Sequence, residues 1–200
     1  MRTLSNVACP NLLQGTDSFK AVEILLGKHC FLPDEEDNFD SDDDSDEVSI
    51  KIVKRPLLEL RYNPLHDLEA LWWIGTHFVI TRAVTPQAEW SEEDQLYRQK
   101  HAQLASEMFG CGRKRSLAMT FGVYFMNKVE DLHPALHEVV LALRETRVAI
   151  VRAYKKAEKD VSTMDWHAAD GLHEVIRDRF TAIAKKFEED DIRMEPVSYR

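Results

Sequence analysis

Several sets of residues in this chain have types and spacings suited to chemistry, and most fall short once the spacing is worked through. His133 and His137 stand four apart, which would put two imidazoles on one helix face, as zinc ligands require. Lone surface histidines are commoner than metal sites, and the pair reads as such. His137-Glu138 and His173-Glu174 begin like the zinc-peptidase pair, but Leu141 and Arg177 stand where its second histidine belongs. Cys111 lies beside Arg113-Lys114-Arg115, cations that would lower a thiol pKa. It lacks a histidine or carboxylate relay and reads as a basic cluster at a helix end. Asp40-x-Asp42-x-Asp44 has the rhythm of a calcium loop. Counted from Asp40, however, the turn glycine would be Ser45 and the bidentate glutamate Lys51. Read this way, the sequence offers no catalytic residue and no metal ligand. Two stretches remain, Gly15 to Glu23 and Asn63 to Trp73. On local physics alone the first is a turn entering an amphipathic helix. In the second, Asp67 sits in a first helical turn, where the helix dipole favours it without any further role.

The elements that would position these residues are mainly helical. From Pro64 the period is that of a helix: Leu68, Leu71, Trp72, Gly75, Phe78 and Val79 form a stripe, with Trp73, Ile74 and Ile80 elsewhere around the axis. A helix apolar on most sides belongs at the centre of its domain. Ser91 with Asp94 three residues on predicts a capped helix start, and Gly110 its stop. Residues 115–129 are apolar and fit either a buried helix or a loop. Pro134 opens the longest helix, whose apolar side is interrupted by Arg147. A last helix carries Leu172, Val175, Ile176, Phe180, Ile183 and Phe187 at helical spacing. Val48 to Val53 alternates briefly as a short strand would, so at most one short pair of strands is expected.

Two hundred residues suit one core, and no stretch reaches the roughly 18 apolar residues of a membrane span. The N-terminus lacks the apolar core of a signal peptide. Cys9, Cys30 and Cys111 are an odd number without paired metal spacing, and read as free thiols of an intracellular protein, cytoplasmic or nuclear. The net charge of −9 is local. Residues 34–47 hold ten acidic side chains and no basic one, so the remainder carries a formal charge of about +1. Such a tract cannot bury enough surface to order itself, and 33–48 is predicted to be a disordered insertion. Ser41 and Ser45 within it are suited to acid-directed phosphorylation. The acidic balance argues against nucleic-acid binding.

The two remaining stretches, in their order, resemble the end of the activation segment and the central C-lobe helix of the fungal-type protein kinases. Gly15-Thr16 matches the small-residue turn and Phe19 the apolar anchor. Ala21-Val22-Glu23 matches the closing Ala-Pro-Glu motif, with valine for proline. His66-Asp67-Leu68-Glu69-Ala70, followed by Leu71-Trp72-Trp73, matches the family's His-Asp-Leu-Glu-Ser helix start, with Ala70 for serine. The likeness runs over about residues 12–160 and is densest in 15–26 and 63–80. It implies that Thr16 orients a catalytic loop, that Glu23 makes a buried ion pair with an arginine, and that His66-Asp67 brace the loop against the helix.

The residues that perform phosphoryl transfer are missing from the sequence. It contains no Gly-rich phosphate loop, no Val-Ala-Ile-Lys strand, no His-Arg-Asp loop and no Asp-Phe-Gly metal ligand. The resemblance therefore implies a mainly α fold: the helical C-lobe of a protein-kinase-like domain over 1–160, without an N-lobe, and a helix and tail packing on or extending it over 161–200. It implies a truncated or degenerate kinase, inactive alone and holding no cofactor; ATP and Mg²⁺ would belong to a full-length parent. The expected partner is another protein or the missing N-terminal kinase portion, not nucleic acid or membrane. The alternative is a helical interaction scaffold with no kinase activity.

Overall fold

The computed structural model describes residues 18–32, 60, 62–86, 89–110, 112–159 and 165–199. The acidic tract, the 48–53 strand, Gly15, Thr16, Cys9 and Cys111 lie outside them. Seven α-helices and one two-stranded sheet occur among the described residues. Helix α1 (Val22–Leu26) is short and stops at Gly27, whose φ of 64° places it in the left-handed region that glycine adopts freely.

Helix α2 (Pro64–Ile80) starts with a full set of caps. Pro64 occupies the first turn, where its missing N–H costs nothing. The Asn63 side chain accepts from the Leu65 amide at 2.8 Å, and the Asn63 amide donates to His66 Nδ1 at 3.1 Å. His66 thus takes the reciprocal part that Glu or Gln usually plays in a capping box. Strand β1 (Arg82–Val84) follows. Helix α3 (Glu92–Phe109) begins at the predicted Ser91–Asp94 capping box and ends at Gly110. Residues 112–129 resolve into helices α4 (Gly112–Thr120) and α5 (Gly122–Val129), so the ambiguous apolar stretch is helical. A 3-10 turn at Pro134–Leu136 leads into α6 (His137–Ala157), and another at Trp166–Ala169 precedes α7 (Leu172–Glu189). Strand β2 (Met194–Pro196) returns to pair antiparallel with β1, Ala83 opposite Glu195.

Helix α2 is central, packing against α3, α6 and α7. Its buried arc differs from the predicted stripe: Leu65, Leu68, Glu69, Trp72, Trp73, Thr76, Val79 and Ile80 are inside, whereas Leu71, Ile74 and Phe78 are 40–48% exposed. The arc turns because Glu69 lies inside, a position that hydropathy assigns to solvent. Trp72 and Trp73 are fully buried, and each indole N–H has a partner, Leu143 O at 2.8 Å and Glu69 Oε1 at 2.9 Å. At about 25 cal/mol/Å² their burial contributes on the order of 4–6 kcal/mol each before entropy is counted. Helix α7 comes close at Gly75, where a Cβ would meet the Phe180 ring at 2.8 Å. Val175 of α7 is exposed, while Leu172 and Ile176 are buried. Arg147, the interruption in α6, is buried and donates to Met119 O at 2.6 Å, tying α6 to α4.

Candidate functional site

Three segments converge at the N-terminal end of α2: α1 with the loop after it, the first two turns of α2, and the C-terminal end of α6. Each contributes a carboxyl group that is completely buried, Glu23, Glu69 and Glu158. Isolated buried carboxylates are strongly disfavoured, so the partners of each decide what the cluster is.

Glu69 is fully provided for. Its Oε1 accepts from the Val22 amide at 2.8 Å and from Trp73 Nε1 at 2.9 Å, and its Oε2 accepts from the Tyr154 hydroxyl at 2.9 Å. Burial raises its pKa, and the three donors act against that rise. Tyr154, in turn, is held protonated by burial and by the neighbouring Glu69 and Glu23.

Glu23 accepts from the Cys30 amide at 2.5 Å, and its Oε2 lies 3.1 Å from His66 Nε2. Because His66 Nδ1 accepts from the Asn63 amide, the His66 proton sits on Nε2 and is donated to Glu23. Burial brings the His66 pKa down to about 4, so the imidazole is neutral. Glu158 accepts from the Phe31 amide at 3.0 Å, and its Oε1 lies 3.3 Å from His29 Nδ1. His29 Nδ1 is also 3.8 Å from Glu23 Oε2. Burial raises the pKa of both the Glu23 and the Glu158 carboxyl. One donor atom each from Glu23, His29 and Glu158 lies within 4.8 Å of the other two, so these are the residues placed to hold a cation. The adjoining Cys30 is a free thiol that burial and then Glu23 push up to about 12, which removes it as a nucleophile.

The structure brings together part of what the sequence singled out. Ala21, Val22, Glu23 and His66 are buried at this junction, and Phe19 packs edge-on against His77 with ring centroids 5.3 Å apart. Glu23 meets His66 where the resemblance implies an arginine. Asp67 points away from the cluster, is exposed, and accepts a hydrogen bond from the Tyr62 hydroxyl. His133 caps the 3-10 turn by accepting from the Ala135 amide. The residues that sequence reasoning passed over are His29, Glu69, Tyr154 and Glu158. Glu69 had a signal, a lone acid four residues before Trp73 on an otherwise apolar arc. Tyr154 and Glu158 had a weaker one, a one-turn spacing at the end of the longest helix.

Among the described residues no helix is long and apolar enough to cross a membrane. Comparison with known proteins gives no match: no family model fits the sequence, and no similar protein or solved structure is found.

Proposed function

We propose that the chain is the helical lobe of a fungal-type protein-kinase-like fold, truncated or degenerate, that scaffolds a substrate loop and transfers no phosphate by itself. One observation supports this reading above the others. The two family-like sequence blocks, separated by a long acidic stretch, dock on each other through Val22 to Glu69 and Glu23 to His66. In a kinase lobe the closing motif of the activation segment must be anchored to the body of the lobe, so that the loop preceding it is held for substrate. Here Ala21-Val22-Glu23 is anchored by buried hydrogen bonds to the start of the central helix. Phosphoryl transfer is positioning plus electrostatic stabilisation by a phosphate loop, a lysine and metal-held aspartates, and the sequence has none of these motifs.

Differential scanning fluorimetry with saturating Mg-ATP, paired with a radiolabelled phosphate-transfer assay, tests the reading. The expected result is no thermal shift and no transfer. A saturable nucleotide-dependent shift would overturn the claim that the lobe has no ATP site.

A second reading, a helical interaction scaffold, draws on Phe121 and Val123 at the start of α5, which are 61% and 74% exposed. Apolar side chains in such an arrangement suit a covering protein partner. Under this reading the wild-type chain is a stable, monodisperse monomer without an ATP-dependent thermal shift, and a saturable nucleotide-induced shift would argue against it.

A further inference from the structure

We propose that Glu23, His29 and Glu158 form a binding site for a divalent transition-metal cation of the Zn²⁺ type. Glu23 and His29 stand on one segment and Glu158 far along the chain, at no recognisable ligand spacing, and the fold assembles them. One donor atom from each lies within 4.8 Å of the other two. Tetrahedral Zn²⁺ with bonds of about 2.0–2.2 Å has donor-to-donor edges of about 3.4 Å. His29 Nδ1 stands 3.3 Å from Glu158 Oε1 and 3.8 Å from Glu23 Oε2, so a small inward adjustment of Glu23 completes the triangle.

Charge makes the same point independently. The Glu23 and Glu158 side chains are 0% exposed and that of His29 is 5% exposed. Their ion-pair partners among the described residues are histidines, with no lysine or arginine among them. Two carboxylates in so dry a place need either a bound proton or a cation, and a divalent cation cancels both charges at once. The donor set, one imidazole and two carboxylates, suits Zn²⁺ among the common biological cations; an all-oxygen set would suit Mg²⁺ or Ca²⁺. Three protein ligands leave a fourth position for water.

The surroundings are those of a ligand set held from outside. His66 donates to Glu23 Oε2, the Cys30 amide to Glu23 Oε1, and the Phe31 amide to Glu158 Oε2. Each of these oxygens keeps a second lone pair for a metal. Such outer hydrogen bonds fix ligand orientation and typically change metal affinity about 10–100-fold. The inference stands on this geometry and not on the kinase-like reading, since a metal at Glu23 would clasp α1 to α6 in any helical protein.

The test is Zn²⁺ titration of the chelator-stripped full chain by calorimetry, with Mg²⁺ as the contrasting ion. The expected result is one equivalent of Zn²⁺ bound, a rise in melting temperature with Zn²⁺, and none with Mg²⁺. Glu158→Gln and His29→Gln should each weaken binding by about 100-fold or more, beyond the loss typical of an outer partner. His133→Gln, at an exposed turn cap, should leave binding unchanged. Absence of saturable binding to a folded wild-type chain overturns the proposal, as does binding that both ligand variants retain. Should the variants fail to fold, X-ray absorption of the Zn²⁺-loaded wild type decides: nitrogen and oxygen neighbours with an imidazole signature support the site. A sulfur neighbour, or no imidazole, overturns it.

Discussion

The Val22 amide donates to Glu69 Oε1 at 2.8 Å, and through that one oxygen the short helix α1 is held to the second turn of α2. The same carboxyl group takes the Trp73 indole and the Tyr154 hydroxyl, so α1, α2 and α6 meet on one buried side chain. Substituting Glu69 therefore probes the junction directly. In Glu69→Gln the amide oxygen can keep both N–H donors at the Oε1 position, and the amide nitrogen can donate to Tyr154, whose hydroxyl also accepts. The cost should be about 1 kcal/mol. Glu69→Leu leaves two N–H groups and a hydroxyl buried without partners and should cost about 3–5 kcal/mol. Urea melts monitored by circular dichroism measure both, and equal costs would contradict this account of the junction.

Gly122 and Arg147 form a second coupled pair. A Cβ at Gly122 would overlap Arg147 Nη2, and Arg147 is not free to swing away because its Nη1 is bonded to Met119 O. Gly122→Ala should destabilise by about 1–3 kcal/mol through this overlap. With Arg147→Ala in place the clash is gone, and Gly122→Ala should become neutral or stabilising, as expected for alanine in a helix. A double-mutant cycle with additive effects would show that the two residues do not press on each other.

His101 supplies a pH dependence of definite sign. It is fully buried in α3, its Nδ1 donates to Ile80 O at 3.2 Å, and its Nε2 has no hydrogen-bond partner. Burial holds its pKa below the usual 6.5, against the Ile80 hydrogen bond, which acts the other way. In the unfolded chain it takes up a proton near pH 6.5, while the folded protein keeps it neutral, so the unfolded state binds more protons as pH falls. The stability contributed above about pH 6.5 is thus lost below it, by up to about 1.4 kcal/mol per pH unit. In His101→Asn the side-chain amide can make the same bond to Ile80 O and does not titrate. Denaturant melts between about pH 7.5 and pH 5 should fall more steeply for the wild type than for the variant. Parallel curves would contradict the assignment.

Much of the fold was legible in the sequence where a single helix carried its own signals. The Ser91–Asp94 cap and Gly110 stop of α3, the Pro134 entry to α6, and the central place of α2 all follow from local residues. The face of α2 was not legible, because Glu69 is polar and its burial depends on three donors that arrive from α1, α2 itself and α6. Asp67 and Glu69 look alike in sequence, two acids two residues apart. Only the packing of α1 and α6 decides that one faces water and the other the core. The same holds for the site. Glu23 and His66 stood out as members of motifs, but His29 and Glu158 belong to no motif and become neighbours only when the end of α6 reaches the loop after α1.

The kinase-like lobe is the central claim, and a chimera tests it most directly. The N-terminal part of an active fungal-type kinase, from its phosphate loop through its metal-binding aspartate, is joined to this chain at Gly15. If the lobe is what its motifs resemble, the folded chimera transfers phosphate from Mg-ATP to a protein substrate. Thr16→Ala and Asp67→Ala then each lower that rate by about 100-fold or more, as positioning losses of this kind do. Asp67→Ala in the chain alone, where Asp67 is exposed, changes stability by less than about 1 kcal/mol. A chimera that folds and binds Mg-ATP yet transfers no phosphate, or transfers it equally well without Thr16 and Asp67, would contradict the account.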